Sequence, residues 1–288
     1  MTKFKRLSAA AAILFSLALP AHAAPALWKV SDADSSIWLF GSIHLLPPDT
    51  EWRTELFDQT LNNAEKVYFE ADVGPEAQVD LSVLGIQRGI YTDGTLLTSV
   101  LDAPQEKLLR KVAKQINIPV GSLLAMRPWL AANTISVSAI VAEGFGTEGV
   151  DMAVQAELPD DRKGYFETGA EQMEFIAGAS EAEQVSMLVT TLNEMDQLPQ
   201  MMDDMLTSWV DGTPDKLIEL FMADLAGPDE AFIERLIYER NRNWMTPIKA
   251  MLANNEAALV IVGTGHLIGE RSVVDLLEKD GFTVERIQ

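Results

Sequence analysis

The sequence predicts an α/β fold in which strands from both ends of the chain form one sheet, with a large lid-like helical insertion between them over about residues 76–255. Short apolar runs rich in Val, Ile, Phe and Trp lie before residue 73 and again after residue 256, and such runs are typical of strands. Helical periodicity covers most of the region between them. Because each set of strands alone would leave an apolar face in water, we expect both sets to pair in a single domain over residues 24–288.

The N-terminal elements open the predicted sheet. Apolar runs at 27–32 and 37–40 flank a short segment of residues that favour turns, and this pattern predicts a hairpin. Helical spacing follows over 51–64, and residues 66–72 predict a third strand.

The later elements complete it. A brief strand over 164–168 is the expected exception within the helical region. A buried-type strand over 257–262, a helix over 272–279 and a last strand over 283–287 follow.

Composition excludes several classes of function. The 288 residues include 22 Lys plus Arg and 43 Asp plus Glu, a net charge of −21, which argues against a nucleic-acid partner because phosphate binding needs a basic patch. The chain has no Cys, so disulfides, thiolate nucleophiles, iron–sulfur clusters and Cys-ligated zinc are excluded. The motifs of serine hydrolases, P-loop NTPases and dinucleotide-binding proteins do not follow any predicted strand.

The first residues predict export. Three basic residues within the first six, a mostly apolar run over 7–19 and an A-x-A site at 21–23 are typical of a cleaved secretory signal over residues 1–23. The mature chain then begins at Ala24 and carries a charge of −24, because the signal removes three cations and no anion. No later segment is apolar enough to span a membrane, so we expect a periplasmic or secreted protein without an integral membrane segment.

The most informative pattern is a repeated tetrapeptide, G-[ST]-x-H. It occurs as Gly-Ser-Ile-His over 41–44 and as Gly-Thr-Gly-His over 263–266, each time directly after an apolar run. His44 and His266 are the only histidines in the predicted mature chain. Sites of open α/β sheets lie beyond the carboxyl ends of strands, so pairing of the terminal strands would bring these two histidines together.

Glu70 adds a third candidate at the end of another apolar run. A carboxylate that closes a buried strand is costly unless it is paired or bound to a metal. Two imidazoles and a carboxylate are a common donor set for zinc, manganese, cobalt or iron. The residues therefore indicate a divalent metal site at His44, Glu70 and His266, and hydrogen-bonded structural histidines are the alternative.

Other polar residues are weaker candidates. Asn241 occupies a position on the apolar face of a predicted helix where a hydrophobic residue is expected, and Arg240 is adjacent. The two side chains either satisfy buried backbone groups or face a substrate or oxyanion. Glu167, after the short inner strand, is a reserve acid or base. Asp151 is either similar or a first-turn acid that complements a helix dipole, and Arg127 is either an anion clamp or half of a surface ion pair.

Methionine is concentrated in the helical region. Six of the twelve Met lie between residues 173 and 205. Such helices either form adaptable grooves for peptides or fill the core.

At these residues the sequence resembles the TraB/PrgY/GumN family, which includes GumN-like periplasmic proteins, and it is similar to the animal Tiki proteases. The resemblance covers nearly the whole mature chain. It is carried by Leu27-Trp28-Lys29-Val30, Leu39-Phe40-Gly41-Ser42-Ile43-His44, Phe69-Glu70, Gly149-Val150-Asp151, Phe166-Glu167-Thr168 with Gln172, Glu239-Arg240-Asn241 and Val262-Gly263-Thr264-Gly265-His266-Leu267.

The resemblance implies an α/β sheet assembled from both ends of the chain and a metal and catalytic centre at the two histidines and Glu70. It also implies a peptidase-like hydrolase with peptides as ligands.

Two functions remain open at this point. The first is a metal-dependent peptidase-like hydrolase of the cell envelope, with a peptide or small molecule as substrate, in which His44, Glu70 and His266 hold the metal. Arg240 and Asn241 would then orient the substrate or stabilise the oxyanion, and Glu167 would be the reserve acid or base. The second is a non-catalytic periplasmic protein that binds a peptide or haem, for which a histidine could be the axial ligand.

Overall fold

The computed structural model describes residues 23–224 and 230–288, so the predicted signal lies outside the described residues except for its last position. The strands are β1 Leu27–Ser31, β2 Ser36–Ser42, β3 Lys66–Phe69, β4 Lys163–Tyr165, β5 Ala258–Gly263 and β6 Thr283–Arg286. The helices are α1 Glu55–Asn63, α2 Pro75–Gly89, α3 Ala103–Gln115, α4 Val120–Leu123, α5 Pro128–Ala142, α6 Val150–Glu157, α7 Gly169–Ala177, α8 Glu181–Glu194, α9 Leu198–Val210, α10 Pro214–Asp224, α11 Glu230–Ile233, α12 Glu239–Ala253 and α13 Val273–Lys279, with a π-helical turn at Glu234–Tyr238 before α12.

One sheet joins the two ends of the chain. Its six strands lie in the order β4-β3-β5-β2-β1-β6. Strands β4, β3, β5 and β2 are parallel, whereas β1 runs antiparallel to both β2 and β6. The predicted hairpin and the predicted pairing of N-terminal with C-terminal strands are therefore confirmed, and the helical region lies between β3 and β5 in sequence.

The register of the central pair aligns the two copies of the repeated motif. Gly41 of β2 lies opposite Val262 of β5, and Ser42 lies opposite Gly263. Because β2, β3, β4 and β5 are parallel, the residues that follow all four strands leave the sheet at the same edge.

Some predicted boundaries were wrong. The strand expected over 66–72 ends at Phe69. Beyond it, one more backbone hydrogen bond links the segments that follow β3 and β4, because Glu167 N–H donates to Glu70 O at 2.9 Å. The inner strand begins at Lys163, one residue before its predicted start. The first helix begins at Glu55, because the Thr54 hydroxyl caps it by accepting the Phe57 N–H at 3.1 Å.

Both faces of the sheet are buried, as parallel sheets require. Along β5, Leu259 and Ile261 belong to a core with α1, α6 and α9, while Val260 and Val262 belong to a second core with α12 and α13. The sheet is thus the middle layer of three, and α12 lies where it can reach the carboxyl edge.

The helical region has a core of its own, formed mainly by α3, α5 and α8. Met195 is buried in it, and Met187, Met201 and Met202 pack against it. These methionines therefore fill a core rather than line an open groove. Within the described residues, no helix combines the length and the apolar character needed to cross a bilayer.

Candidate functional site

Four sequence-predicted residues meet at the carboxyl edge of the sheet. His44 follows β2, Glu70 follows β3, Glu167 follows β4 and His266 follows β5. Helix α12 adds Arg240 and Asn241 from one side. A cavity of about 290 Å³ opens onto this edge, and its lining includes His44, Glu70, Asp151 and Gln172.

The two motif copies pack directly on each other. The Thr264 hydroxyl, from the second copy, donates to the Ser42 carbonyl of the first at 2.9 Å. A Cβ at Gly41 would lie 2.8 Å from that same hydroxyl, so glycine is needed for the close approach. The Gly and the Ser/Thr of the motif thus join the two strand ends, and the histidines extend beyond them.

His44 is oriented by a buried aspartate. Its Nδ1 lies 2.8 Å from Asp151 Oδ2, and Asp151 Oδ1 accepts the Ser42 hydroxyl at 3.0 Å. The His44 side chain is 61% exposed, whereas that of Asp151 is 9% exposed. The charge of Asp151 raises the pKa of His44 to about 9. Asp151 does lie in the first turn of α6, but its carboxylate is bound to the imidazole and to Ser42.

Helix α6 is fixed to the His44 loop by its backbone. Val150 N–H donates to Ile43 O at 3.1 Å. A Cβ at Gly149 would lie 2.3 Å from both Ile43 O and the His44 carbonyl carbon, a distance that no side chain can adopt. Gly149 therefore allows the start of α6, and with it Asp151, to lie against His44.

His266 is buried and its tautomer is fixed. Its Nδ1 lies 2.6 Å from Asn241 Oδ1, and Asn241 Nδ2 donates to Arg271 O at 2.9 Å. The amide oxygen is thus the atom facing the ring, so Nδ1 carries the proton and donates it. The other nitrogen, Nε2, accepts from Arg240 Nη1 at 3.0 Å. Burial lowers the pKa of His266 to about 3, so the ring is neutral.

Glu70 is buried and fully hydrogen-bonded. Its Oε1 accepts the Gly263 N–H at 2.7 Å, and its Oε2 accepts Gln172 Nε2 at 3.0 Å and Arg240 Nη2. Burial alone would raise the pKa of Glu70, but His266, Arg240 and His44 together hold it below its usual range. Glu70 is therefore ionised.

Arg240 lies between two buried carboxylates. Its Nε donates to Glu167, whose two oxygens lie at 2.9 and 3.1 Å, and its Nη2 donates to Glu167 Oε2 at 2.8 Å and to Glu70. Its Nη1 donates to Leu236 O at 3.0 Å and to His266. Every N–H group of the guanidinium thus has a partner. Glu167 also accepts Trp244 Nε1 at 2.9 Å.

The two imidazoles and Glu70 surround one point beside Gly263. A Cβ on Gly263 would lie 3.1 Å from Glu70 Oε1, 3.5 Å from His44 Nε2 and 3.7 Å from His266 Cδ2. Glycine keeps this point clear. Two imidazoles and a carboxylate are donor types that divalent metals use, and His266 Nε2 lies 3.8 Å from Glu70 Oε1.

In the arrangement described, however, Arg240 engages both Glu70 and His266. Across residues 23–224 and 230–288, no group of three or more His, Asp or Glu side chains is placed as it stands to hold a metal ion.

Two contributors, Gln172 and Gly149, had no independent signal in the sequence. Gln172 of α7 bridges the carboxylates of Glu70 and Glu167, at 3.0 and 3.3 Å. Gly149 and Gly263 keep space for the His44 loop and for the site. Arg127, the remaining candidate, lies outside this cluster and stacks on the Tyr91 ring at 4.7 Å.

Comparisons with known proteins identify the family of the chain. No solved structure matches the chain. A "Metalloprotease TIKI homolog" from Amphimedon queenslandica is 38% identical over 66 residues, which are 22% of this chain and 13% of that protein. The family model of the TraB/PrgY/gumN family matches residues 26–286. The match spans both motif copies, the strand that leads to Glu70 and the helix that carries Arg240 and Asn241, and the chain therefore belongs to the TraB/PrgY/gumN family.

Proposed function

We propose that this chain is a metal-dependent peptidase-like hydrolase whose centre is formed by His44, Glu70 and His266. One observation carries the proposal. Each imidazole has its Nδ1 held by an oxygen, of Asp151 for His44 and of Asn241 for His266, and its ring edge turned toward the same point beside Gly263. Histidines that bind metals are commonly oriented in this way by a second group.

Each residue of the proposed centre has its own role. A divalent metal held by His44, Glu70 and His266 would supply a Lewis acid and a bound water of lowered pKa. Asn241 keeps the proton of His266 on Nδ1 and so leaves Nε2 free of one. Glu167 and Gln172 hold Arg240 and Glu70 in position. His44 is the member most exposed to solvent and therefore the one nearest to an entering substrate.

A peptide is the substrate class that we propose. The relative named as a metalloprotease supports it, and so does the space around the site. A second cavity of about 470 Å³ is lined by Glu167 and residues of α2 and α7, and Gln172, which lines the 290 Å³ cavity, donates to Glu167 at 3.3 Å. The strongly acidic chain favours neutral or cationic peptides by electrostatic steering.

The proposal is tested by metal content and turnover measured together. The mature protein and a His44→Ala, His266→Ala double variant are incubated with Zn, Mn, Co or Fe and desalted, and bound metal is determined by elemental analysis. We expect near-stoichiometric metal and cleavage of a fluorogenic peptide library for the wild type only. Asn243→Ala, at an exposed position of α12, is the control. Equal metal content in the wild type and the double variant would contradict the proposal.

Binding without turnover is the second candidate, and the exposed His44 favours it. Among the described residues, His44 Nε2 has no hydrogen-bond partner, so once it has given up its proton it can bind an external group such as haem iron. A Soret band that appears with haem and is lost in His44→Ala would support this function. Release of product in excess over protein would exclude it for peptides.

We also propose that the chain is exported, to the periplasm or the medium, as its first residues predict. The signal at residues 1–23 is tested by N-terminal sequencing of the protein recovered outside the cytoplasm. Export with cleavage gives a chain that starts at Ala24, and an intact N-terminus in the cytoplasm would refute it.

A further inference from the structure

The Arg240 side chain is held by more contacts than substrate binding alone would require. It lies in the first turn of α12, directly after the π-helical turn Glu234–Tyr238. The Leu236 carbonyl of that turn accepts its Nη1 at 3.0 Å, and its guanidinium carbon lies 4.9 Å from the centre of the Trp244 ring. π-Helical turns are rare and occur mostly at functional sites. Here the turn fixes a positive charge at the centre of the site.

The Arg240 guanidinium is hydrogen-bonded to the nitrogen atom through which His266 would bind a metal. Nδ1 of His266 carries the proton, so Nε2 has a single lone pair, and that lone pair accepts Arg240 Nη1 at 3.0 Å. Nε2 lies only 3.8 Å from Glu70 Oε1. One lone pair cannot serve an N–H donor and a metal at once. Arg240 and a metal at His266 are therefore mutually exclusive.

The charges of the cluster also indicate that Arg240 and a metal compete for this site. The side chains of Glu70 and Glu167 are 8% exposed, and that of Arg240 is 5% exposed. The two carboxylates and the one guanidinium leave one negative charge, and the His44–Asp151 pair adds no net positive charge, so the cluster attracts a cation. The fixed charge of Arg240 opposes the same cation over a short distance and in poorly screened surroundings.

We propose that Arg240 is a resident cation that competes with the divalent metal for His266, so that the metal is bound only when the Arg240–His266 hydrogen bond opens. Arg240 then lowers the affinity of the site and makes its metal exchangeable, while it keeps Glu70 and Glu167 paired when the metal is absent. This inference rests on the proposed metal site. The competing explanation is that Arg240 only orients Glu70 for the metal, and the two differ in the sign of one measurement.

The test is a Co²⁺ titration of the chelator-treated protein, followed by visible absorption, in the wild type, Arg240→Gln and Arg240→Lys. We expect Arg240→Gln to bind Co²⁺ at least about tenfold more tightly, which corresponds to about 1.4 kcal/mol. Arg240→Lys keeps the charge but cannot reach all the partners, so its gain is smaller. Arg242→Gln, in which an exposed arginine of the same helix loses its partner Glu234, should leave Co²⁺ affinity unchanged.

Each outcome decides a separate question. Equal or weaker Co²⁺ binding by a folded Arg240→Gln variant, beside a wild type that binds, overturns the inference and leaves the proposed function standing. Tighter binding, or binding by the variant alone, supports it. If neither protein binds Co²⁺, the proposed metal site fails and the inference fails with it. If circular dichroism shows that Arg240→Gln is unfolded, Arg240→Lys decides by the same criteria.

Discussion

The His266 imidazole donates its Nδ1 proton to Asn241 Oδ1 over 2.6 Å, deep in the protein. Asn241 is itself fixed by the Arg271 carbonyl at 2.9 Å. This pair of hydrogen bonds decides which nitrogen of His266 faces Glu70. Asn241 is fully buried, yet it thus determines which nitrogen of His266 is available to a ligand.

Asn241→Leu removes the acceptor for the His266 proton and the donor for Arg271 O. We expect a loss of about 1–3 kcal/mol in the free energy of unfolding, because buried polar groups are left without partners. Urea denaturation followed by circular dichroism measures it. Asn243→Leu, an exposed asparagine of the same helix, should stay within about 0.5 kcal/mol of the wild type. Equal losses in the two variants would contradict the assigned role of Asn241.

Gly263→Ala should abolish metal binding while the protein stays folded. Gly263 has φ −50° and ψ 135°, which alanine adopts without strain, but the new Cβ would lie 3.1 Å from Glu70 Oε1 and 3.5 Å from His44 Nε2. We expect a stability loss of only about 1–3 kcal/mol and the loss of bound metal. Elemental analysis and urea denaturation measure the two effects. Gly121→Ala, where the added Cβ meets nothing within 4 Å, should retain both metal and stability.

Gly149→Ala should have a larger effect on the fold. Its Cβ would lie 2.3 Å from backbone atoms of Ile43 and His44, and backbone cannot rotate away as a side chain can. We expect a loss of about 3 kcal/mol or more, measured as a lower urea midpoint. Glu148→Ala, an exposed neighbour, should behave like the wild type. A wild-type midpoint in Gly149→Ala would show that α6 does not lie against the His44 loop.

Tyr91 should make stability depend on pH in the alkaline range. Burial and its hydrogen bond to Glu181, at 2.8 Å, raise the pKa of Tyr91 to about 12, above the value of about 10 in an unfolded chain. The stabilisation is therefore complete below about pH 10 and is lost as the pH rises toward 12. Tyr91→Phe should unfold about 1 kcal/mol more easily at pH 8, and the gap should narrow toward pH 12. Thermal unfolding at several pH values checks this, and a constant gap would contradict it.

The sequence carried enough information for the main architecture and for the histidines. The repeated motif was visible because both copies follow apolar runs and because the predicted mature chain has only two histidines. Parallel pairing of β2 with β5 then brings them together. Asn241 was also visible, since a polar residue interrupted an apolar helix stripe, and the structure shows it fully buried.

What the sequence could not show are contacts whose partners are far apart and individually ordinary. Asp151 has the position of any first-turn acid, and only the approach of α6 to the His44 loop gives it an imidazole partner 107 residues away. Gln172 is one of several polar residues of α7, and its 3.0 Å contact with Glu70 depends on where that helix packs. The role of Arg240 depends equally on the placement of Glu70 and Glu167, since a guanidinium with other neighbours would be free to meet a substrate.

The pairing of β2 with β5 also determines when during synthesis the candidate site can form. Ser42 and Thr264, which join the two motif copies, are 222 positions apart, so a growing chain carries His44 long before its partner strand has been made. Until then the central edge of the sheet is open and Glu70 has neither the Gly263 N–H nor Arg240 beside it. A chain that ends before β5 therefore lacks both a central strand of the sheet and part of the candidate site. The site is complete only after β5 has paired with β2, late in the synthesis of the chain.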